Sequence, residues 1–141
     1  MSYVSRPIYD YKCFYDTTDI IVAYEPQITH TNTDYTKVIE FQLINKIHPN
    51  SELTLHYEMH SCDAGQHVLG IWYLNGVPYT TADDAIGTGA QEFDHDITTP
   101  LQIGDILTLY TKRVAPSSCV KSSDHRILGK ASVFSRPYVY P

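Results

Sequence analysis

The sequence predicts an all-β protein, an antiparallel β-sandwich of the jelly-roll type in a single domain. Short apolar segments with strand periodicity recur at intervals of roughly 10 to 15 residues, which is typical of sandwiches. Glycine and proline fall between these segments, and no 12-residue window keeps the 3.6-residue period of a helix. With 141 residues, of which 43% are hydrophobic, the chain is large enough to bury a core.

The individual strands are predicted from side chains that alternate in polarity along the chain. The clearest case is 53–59, where Leu53, Leu55, Tyr57 and Met59 share one face. Tight turns are predicted at Asn75-Gly76 and Gly104-Asp105. The predicted strands are 20–23, 38–44, 53–59, 68–74, 93–97, 106–112 and 127–134, and the longer loops are 26–35, 78–91 and 115–124. The predicted core residues are Leu53, Leu55, Tyr57, Ile71, Leu101, Ile103, Leu107 and Leu109.

Similar Pro-containing segments occur at both ends of the chain, 4–9 and 134–140. We expect residues 1–18 to form an extended N-terminal arm, 19–134 the sandwich and 135–141 a C-terminal extension. The favoured interpretation of the similarity is a coincidence between short segments. The alternative is a pair of terminal arms, because exposed aromatic arms suit contacts with neighbouring subunits better than exposure on a monomer. The predicted arm contacts are Tyr9, Tyr11, Tyr15, Tyr138 and Tyr140.

Composition excludes several classes of function. The net charge is −6 and no basic stripe is present, so we expect no nucleic-acid partner. No apolar run approaches about 18 residues, so we expect no membrane insertion. The first 15 residues lack the apolar segment of a secretory signal, which predicts synthesis in a cytoplasm.

Three cysteines, Cys13, Cys62 and Cys119, are too few and too scattered for a disulfide framework. We therefore predict reduced thiols. A single bridge between Cys62 and Cys119 is the alternative, because both lie in predicted loops.

A metal site is one interpretation of His56, Glu58 and His60, which alternate along one strand. Their side chains leave the same face with a spacing of about 6.5 to 7 Å, and a His-x-His pair on a strand can chelate a transition metal. The favoured alternative is that these residues form the polar face of a strand whose other face is core. We expect no cofactor.

Asp94, His95 and Asp96 form a second polar cluster, followed by Asp105. Asp94 and Asp96 share a face and could bind calcium. We favour the alternative that they protect a strand edge from pairing with other chains.

Trp72 and Tyr73 are adjacent in a predicted strand and so point to opposite faces. One should be core, and the other could form a platform for a sugar ring. The loops 29–34 and 80–92 are further candidates for sugar binding. No nucleophile elbow, phosphate loop or dinucleotide motif is present, and we expect no enzymatic activity.

The order of motifs from Leu53 to Phe134 resembles the second half of C1q/TNF-like jelly rolls and the head and spike jelly rolls of viruses and phage fibres. The matching motifs are Leu74-Asn-Gly-Val77, Phe93-Asp-His-Asp-Ile97, Leu101-Gln-Ile-Gly-Asp-Ile-Leu107 and the closing strand 127–134. The resemblance implies a non-enzymatic head that commonly trimerises by burying one sheet around a threefold axis.

We therefore expect a structural subunit of a virion or an extracellular appendage, such as a capsid, turret, spike or fibre head. Its partners would be copies of itself, with a trimer favoured, other assembly subunits and a glycan or receptor. The alternatives are a carbohydrate-binding sandwich module and a cupin-like, metal-dependent jelly-roll enzyme.

Overall fold

The regular elements of this chain are β-strands. The computed structural model describes residues 4–8, 19–44, 51–116 and 118–131, and among them no residue is helical. Tyr9, Tyr11, Cys13, Tyr15, Tyr138 and Tyr140 lie outside the described residues. The strands are β1 (Val4–Ile8), β2 (Asp19–Tyr24), β3 (Ile28–His30), β4 (Thr36–Leu43), β5 (Ser51–Ser61), β6 (His67–Leu74), β7 (Val77–Pro78), β8 (Asp83–Ile86), β9 (Gln91–Ile97), β10 (Ile106–Arg113) and β11 (Val120–Ala131).

Two sheets pack face to face. Sheet A has the strand order β1-β4-β10-β6-β7, with β8 also paired to β6. Sheet B has the order β2-β11-β5-β9, with β3 also paired to β11. Neighbouring strands of the described chain are antiparallel except β1 and β4, which run parallel. The all-β sandwich prediction is confirmed, and the jelly-roll assignment stays a prediction. The described part of the chain contains no helix long and apolar enough to cross a membrane.

The core lies between the sheets and is centred on aromatic rings. Trp72 of sheet A meets the edge of Tyr57 of sheet B with 6.0 Å between ring centroids, and Phe41 stacks beside Trp72 at 6.3 Å. Tyr57 also contacts Phe93, at 5.4 Å. The predicted core residues Leu53, Leu55, Tyr57, Leu107 and Leu109 are all buried. The alternation seen in the sequence therefore identifies the inner faces of β5 and β10.

The core prediction is wrong for two residues. Ile71 precedes Trp72 in β6, and because Trp72 points inward, Ile71 points outward and is half-buried. Ile103 lies in the turn before β10 and is 62% exposed. Leu101 is partly buried and packs against the core.

Several predicted loops contain strands. β3 lies within 26–35, β8 lies within 78–91, and β11 begins at Val120 within 115–124. These segments are short or polar, so they carry little alternation, and pairing with longer strands stabilises them. Within the predicted N-terminal arm, β1 pairs with β4.

Cys62 and Cys119 form a disulfide, so the prediction of reduced thiols is wrong for this pair. The pairing of Ser61 with Val120 brings the flanking cysteines together, with 5.2 Å between their Cα atoms. That separation lies within the normal range for a disulfide. The bridge joins the loop after β5 to the segment before β11.

Candidate functional site

The outer surface of sheet A carries an apolar patch on β6 and β10, which borders the polar Glu40 and Gln42 of β4. Because Val68, Gly70 and Trp72 of β6 are buried, the alternate residues point outward. The neighbouring outward residues of β10 continue the same surface, since Thr108 pairs with Tyr73 and Tyr110 pairs with Ile71. We call this surface the apolar face. Its half-buried residues are Leu69, Ile71, Tyr73, Ile106 and Tyr110.

Two tyrosines form the centre of the apolar face. The rings of Tyr73 and Tyr110 lie 4.5 Å apart at an interplanar angle of 48°, so they do not make one flat platform. Trp72, the other residue of the predicted ligand platform, is fully buried and offers no ring face to a ligand. The structure therefore leaves Tyr73 as the only accessible member of that pair.

Exposed apolar side chains also lie together at one end of sheet A. Backbone hydrogen bonds join Leu43 to Gly104 and Asp105, and Asn75 to Ile106, so the adjoining turns are neighbours. The Asn75-Gly76 turn has positive φ at both residues, as predicted. Ile44, Val77 and Ile103 are exposed on these segments.

The outer surface of sheet B is polar. His56 lies at its centre, with Nδ1 2.7 Å from Asp94 Oδ1 and Nε2 3.5 Å from Asp124 Oδ2. Asp124 adopts a φ of 54° at a β-bulge in β11, and its other oxygen accepts a hydrogen bond from Arg126 Nε. A non-glycine residue in this conformation is uncommon, and the bulge aims its carboxylate at His56.

The predicted metal ligands share this surface but face different partners. His60 donates from Nδ1 to the carbonyl of Ser61, and its Nε2 lies 3.3 Å from the Gln27 amide. Glu58 pairs in register with Glu92 of β9. Both ring nitrogens of His56 already face carboxylates. The described residues contain no group of three or more His, Cys, Asp or Glu side chains able to hold a metal ion.

The acidic cluster lies on β9, which is an edge strand of sheet B among the described residues. Asp94 contacts His56, and Asp96 accepts a hydrogen bond from Thr54, so each aspartate contacts its cross-strand partner on β5. Asp105 lies apart in a turn, where it accepts hydrogen bonds from Asn75 Nδ2 and Gln102 N. These positions suit the edge-protection interpretation of Asp94 and Asp96.

His95 points to the opposite side of β9, toward the space between the sheets. Asp83 accepts hydrogen bonds from Tyr57 Oη at 2.6 Å and from His95 Nε2 at 2.7 Å. The hydrogen bond to Asp83 raises the pKa of His95, against a smaller opposing effect of burial. Burial, reinforced by Asp83, raises the pKa of Tyr57. This network ties β5, β8 and β9 together and keeps a proton on the phenol.

A polar cleft of about 540 Å³ lies where the β3–β4 loop meets the end of β10. The predicted sugar-binding loop 29–34 supplies most of its wall, whereas Arg113 and Thr36 were not singled out in the sequence. No local pattern joins Arg113 to the loop, because the two are brought together by strand pairing across the sheet. The lining residues are Thr31, Asn32, Thr33, Asp34, Thr36 and Arg113.

Two other features went unrecognised in the sequence. The outward Leu69 and Ile71 lie in the apolar run 68–74, whose lack of polar alternation was the available signal. Asp83 and Asp124, which hold His95 and His56, gave no signal because their partners are distant along the chain.

Comparisons of the chain with family models, with curated proteins and with solved structures found no significant match.

Proposed function

We propose that the protein is a non-enzymatic structural subunit that assembles with copies of itself through the apolar face of sheet A, with a trimer favoured. The jelly-roll head of a virion or an extracellular appendage, as a capsid, turret, spike or fibre-head subunit, is the setting that fits this role. The resemblance of the chain between Leu53 and Phe134 to such heads supports that assignment.

The observation that carries the proposal is the difference between the two outer surfaces. An antiparallel sheet that faces water on one side normally presents polar residues there. Sheet B follows this rule with Thr54, His56, Asp94 and Asp96. On β6 and β10, beside the polar Glu40 and Gln42 of β4, sheet A presents Leu69, Ile71 and Ile106 with two tyrosines. Burying these side chains against another copy would remove apolar area from water, at about 25 cal/mol per Å².

The composition of the apolar face also fits a protein interface. Tyrosine is enriched in interface cores, where its ring is buried and its hydroxyl finds a partner. Ile44 and Ile103 are also exposed, on neighbouring segments at one end of sheet A, and they would add apolar area there. The polar surface of sheet B then faces solvent, other assembly subunits or a receptor.

Substitution of the apolar face tests the proposal. Ile71→Glu places a carboxylate at the centre of the face, and we expect it to convert the assembly to monomers, as measured by size-exclusion chromatography with light scattering. Tyr73→Glu should act in the same way. Thr81→Glu is the control, because it adds the same charge at an exposed loop position outside the face.

The fold of each variant is checked independently of its mass. The single tryptophan, Trp72, is fully buried, so its fluorescence reports the integrity of the core. A variant with unchanged Trp72 emission and the mass of a monomer supports the proposal. Folded Ile71→Glu and Tyr73→Glu variants that keep the assembly mass would refute the assignment of this interface.

A further inference from the structure

The polar cleft at the β3–β4 loop is held in one shape by hydrogen bonds from buried groups. His30 is buried beneath it, with Nε2 2.7 Å from Thr111 Oγ1, and its Nδ1 accepts a hydrogen bond from the Asn32 backbone. Burial lowers the pKa of His30. The ring is therefore neutral, with Nε2 protonated and donating to Thr111.

Further contacts fix the rim of the cleft. Asn32 Nδ2 donates to Thr36 Oγ1 at 3.0 Å, and Thr36 Oγ1 donates to the carbonyl of Asp34 at 3.0 Å. The Arg113 backbone donates to the carbonyl of Asn32 at 3.1 Å. The guanidinium of Arg113 is anchored through Nη1, which donates to the carbonyls of Pro116 and Ser118. A preorganised rim reduces the entropy lost when a ligand binds.

The cleft presents unused polar groups of both hydrogen-bonding types. Within the described chain, Thr31, Thr33 and Asp34 are exposed and make no side-chain hydrogen bond or ion pair. Hydroxyls donate and accept, the Asp34 carboxylate accepts, and the guanidinium of Arg113 donates. One carboxylate and one guanidinium leave the charge of the lining balanced, which favours neither an anion nor a cation.

We propose that this cleft binds an uncharged saccharide. A ligand with many hydroxyls matches a lining of hydroxyls, an amide, a carboxylate and a guanidinium, and the wall offers little apolar surface for any other class of small molecule. Tyr35 does not line the cleft, and Lys112 Nζ lies 4.7 Å from its ring centroid. Recognition therefore rests on hydrogen bonds without ring stacking, and binding at a single cleft is weak.

This inference goes beyond the proposed assembly and does not depend on it. If the chain assembles, each copy carries one cleft, and several weak sites on one particle gain avidity toward a surface that displays the saccharide.

The test is an array of immobilised oligosaccharides that includes uncharged, sialylated and sulfated members, probed with the full-length, disulfide-bonded chain.

The strongest uncharged binder is then titrated in solution against four variants by isothermal calorimetry. Asp34→Asn keeps the shape of the side chain and removes its charge, and Thr33→Val removes one hydroxyl. Thr99→Val is the matched control, since Thr99 is exposed and lies outside the cleft and outside both predicted sugar-binding loops. The fourth variant, Ile71→Glu, separates the cleft from the apolar face.

We expect at least one uncharged oligosaccharide to bind, with affinity lowered about tenfold by Asp34→Asn, because a charge-assisted hydrogen bond becomes a weaker neutral one. Thr33→Val should have a smaller effect, and Thr99→Val none. The assignment is overturned if no uncharged saccharide binds, if only sulfated ones bind in a salt-sensitive manner, or if the cleft variants bind like the wild type. A wild-type chain that is monomeric and binds as expected would refute the assembly and leave the cleft assignment standing.

Discussion

Buried histidines show how single polar residues are accommodated in this sandwich. His125 is fully buried, with Nδ1 donating to the carbonyl of Tyr24 at 2.9 Å and Nε2 accepting from the hydroxyl of Ser122 at 3.0 Å. Both ring nitrogens of the neutral ring therefore have a hydrogen-bond partner. Burial lowers the pKa of His125 to about 4, although Tyr24 and Asp124 act in the opposite direction.

The lowered pKa of His125 predicts a loss of stability in acid. Below the unfolded value of 6.5, the unfolded chain takes up a proton that the native state does not bind, so stability falls as the pH drops from 6.5 toward 4. We expect His125 to contribute about 2 to 3 kcal/mol of the stability lost between pH 7 and pH 4.5. Urea denaturation at pH 7 and at pH 4.5 measures this loss of stability.

The matched variant for this prediction is His125→Gln, whose amide can donate and accept but does not titrate. His30 has the same sign of pKa shift and still contributes in the variant, so only part of the pH dependence should disappear. Equal losses of stability in the wild type and in His125→Gln would contradict the role assigned to His125.

Gly70 leaves room for the side chain of Tyr57. The phenol of Tyr57 passes beside Gly70 to reach Asp83, and a Cβ added at position 70 would clash with the hydroxyl and lie 3.0 Å from Cζ. We expect Gly70→Ala to lower the free energy of unfolding by about 2 kcal/mol through overpacking. Denaturation followed by Trp72 fluorescence gives the value.

Two comparisons make the Gly70 prediction specific. Gly89→Ala is the control, because a Cβ there meets nothing within 4 Å and its φ is not positive. In a Tyr57→Phe background the hydroxyl is gone, so Gly70→Ala should cost less than in the wild type. The same cost in both backgrounds would rule out the Tyr57 hydroxyl as the cause.

At the scale of elements, the disulfide fastens the loop after β5 to the start of β11. It closes a chain segment of 57 residues, and closing a segment of that size restricts the unfolded state. We expect the double substitution Cys62→Ser and Cys119→Ser to reduce the free energy of unfolding by about 3 kcal/mol. Thermal or urea unfolding of the two proteins compares them directly.

A thiol assay checks the bridge itself. The unfolded wild-type chain should show one reactive thiol, from Cys13, before reduction and three after it, because the sequence has three cysteines. Three reactive thiols before reduction would contradict the disulfide and restore the prediction of reduced cysteines.

Local pattern predicted the strands that alternate and failed where pairing partners are distant. β5 and β10 were recognisable because their inward residues are apolar and their neighbours are polar. β8 and the first half of β11 are polar and form through pairing with β6 and β5. Ile71 and Ile103 were placed in the core because hydrophobicity alone does not tell which side of a strand, or of a turn, faces inward.

The same limit applies to the candidate sites. The loop 29–34 was identifiable from its polar composition, but Arg113 joins it only through the tertiary structure. His56 was recognisable on a polar strand face, whereas Asp124 reaches it through a β-bulge that nothing nearby in the sequence predicts.

At the scale of the whole molecule, the sandwich has a polar outer surface on sheet B and an apolar patch on the outer side of sheet A. The polar surface of sheet B carries the carboxylate-bound His56, and the apolar face of sheet A carries Ile71, Tyr73 and Tyr110. A monomer gains nothing from the apolar face, since exposed apolar area favours unspecific association. Self-assembly through the apolar face, as proposed above, would remove this area from water.

The molar mass of the wild-type chain in solution, measured by light scattering over a range of concentrations, tests this account most directly. We predict a discrete assembly of three or more copies that persists on dilution. A strict monomer at high concentration would contradict the proposed function and leave the apolar face without its partner.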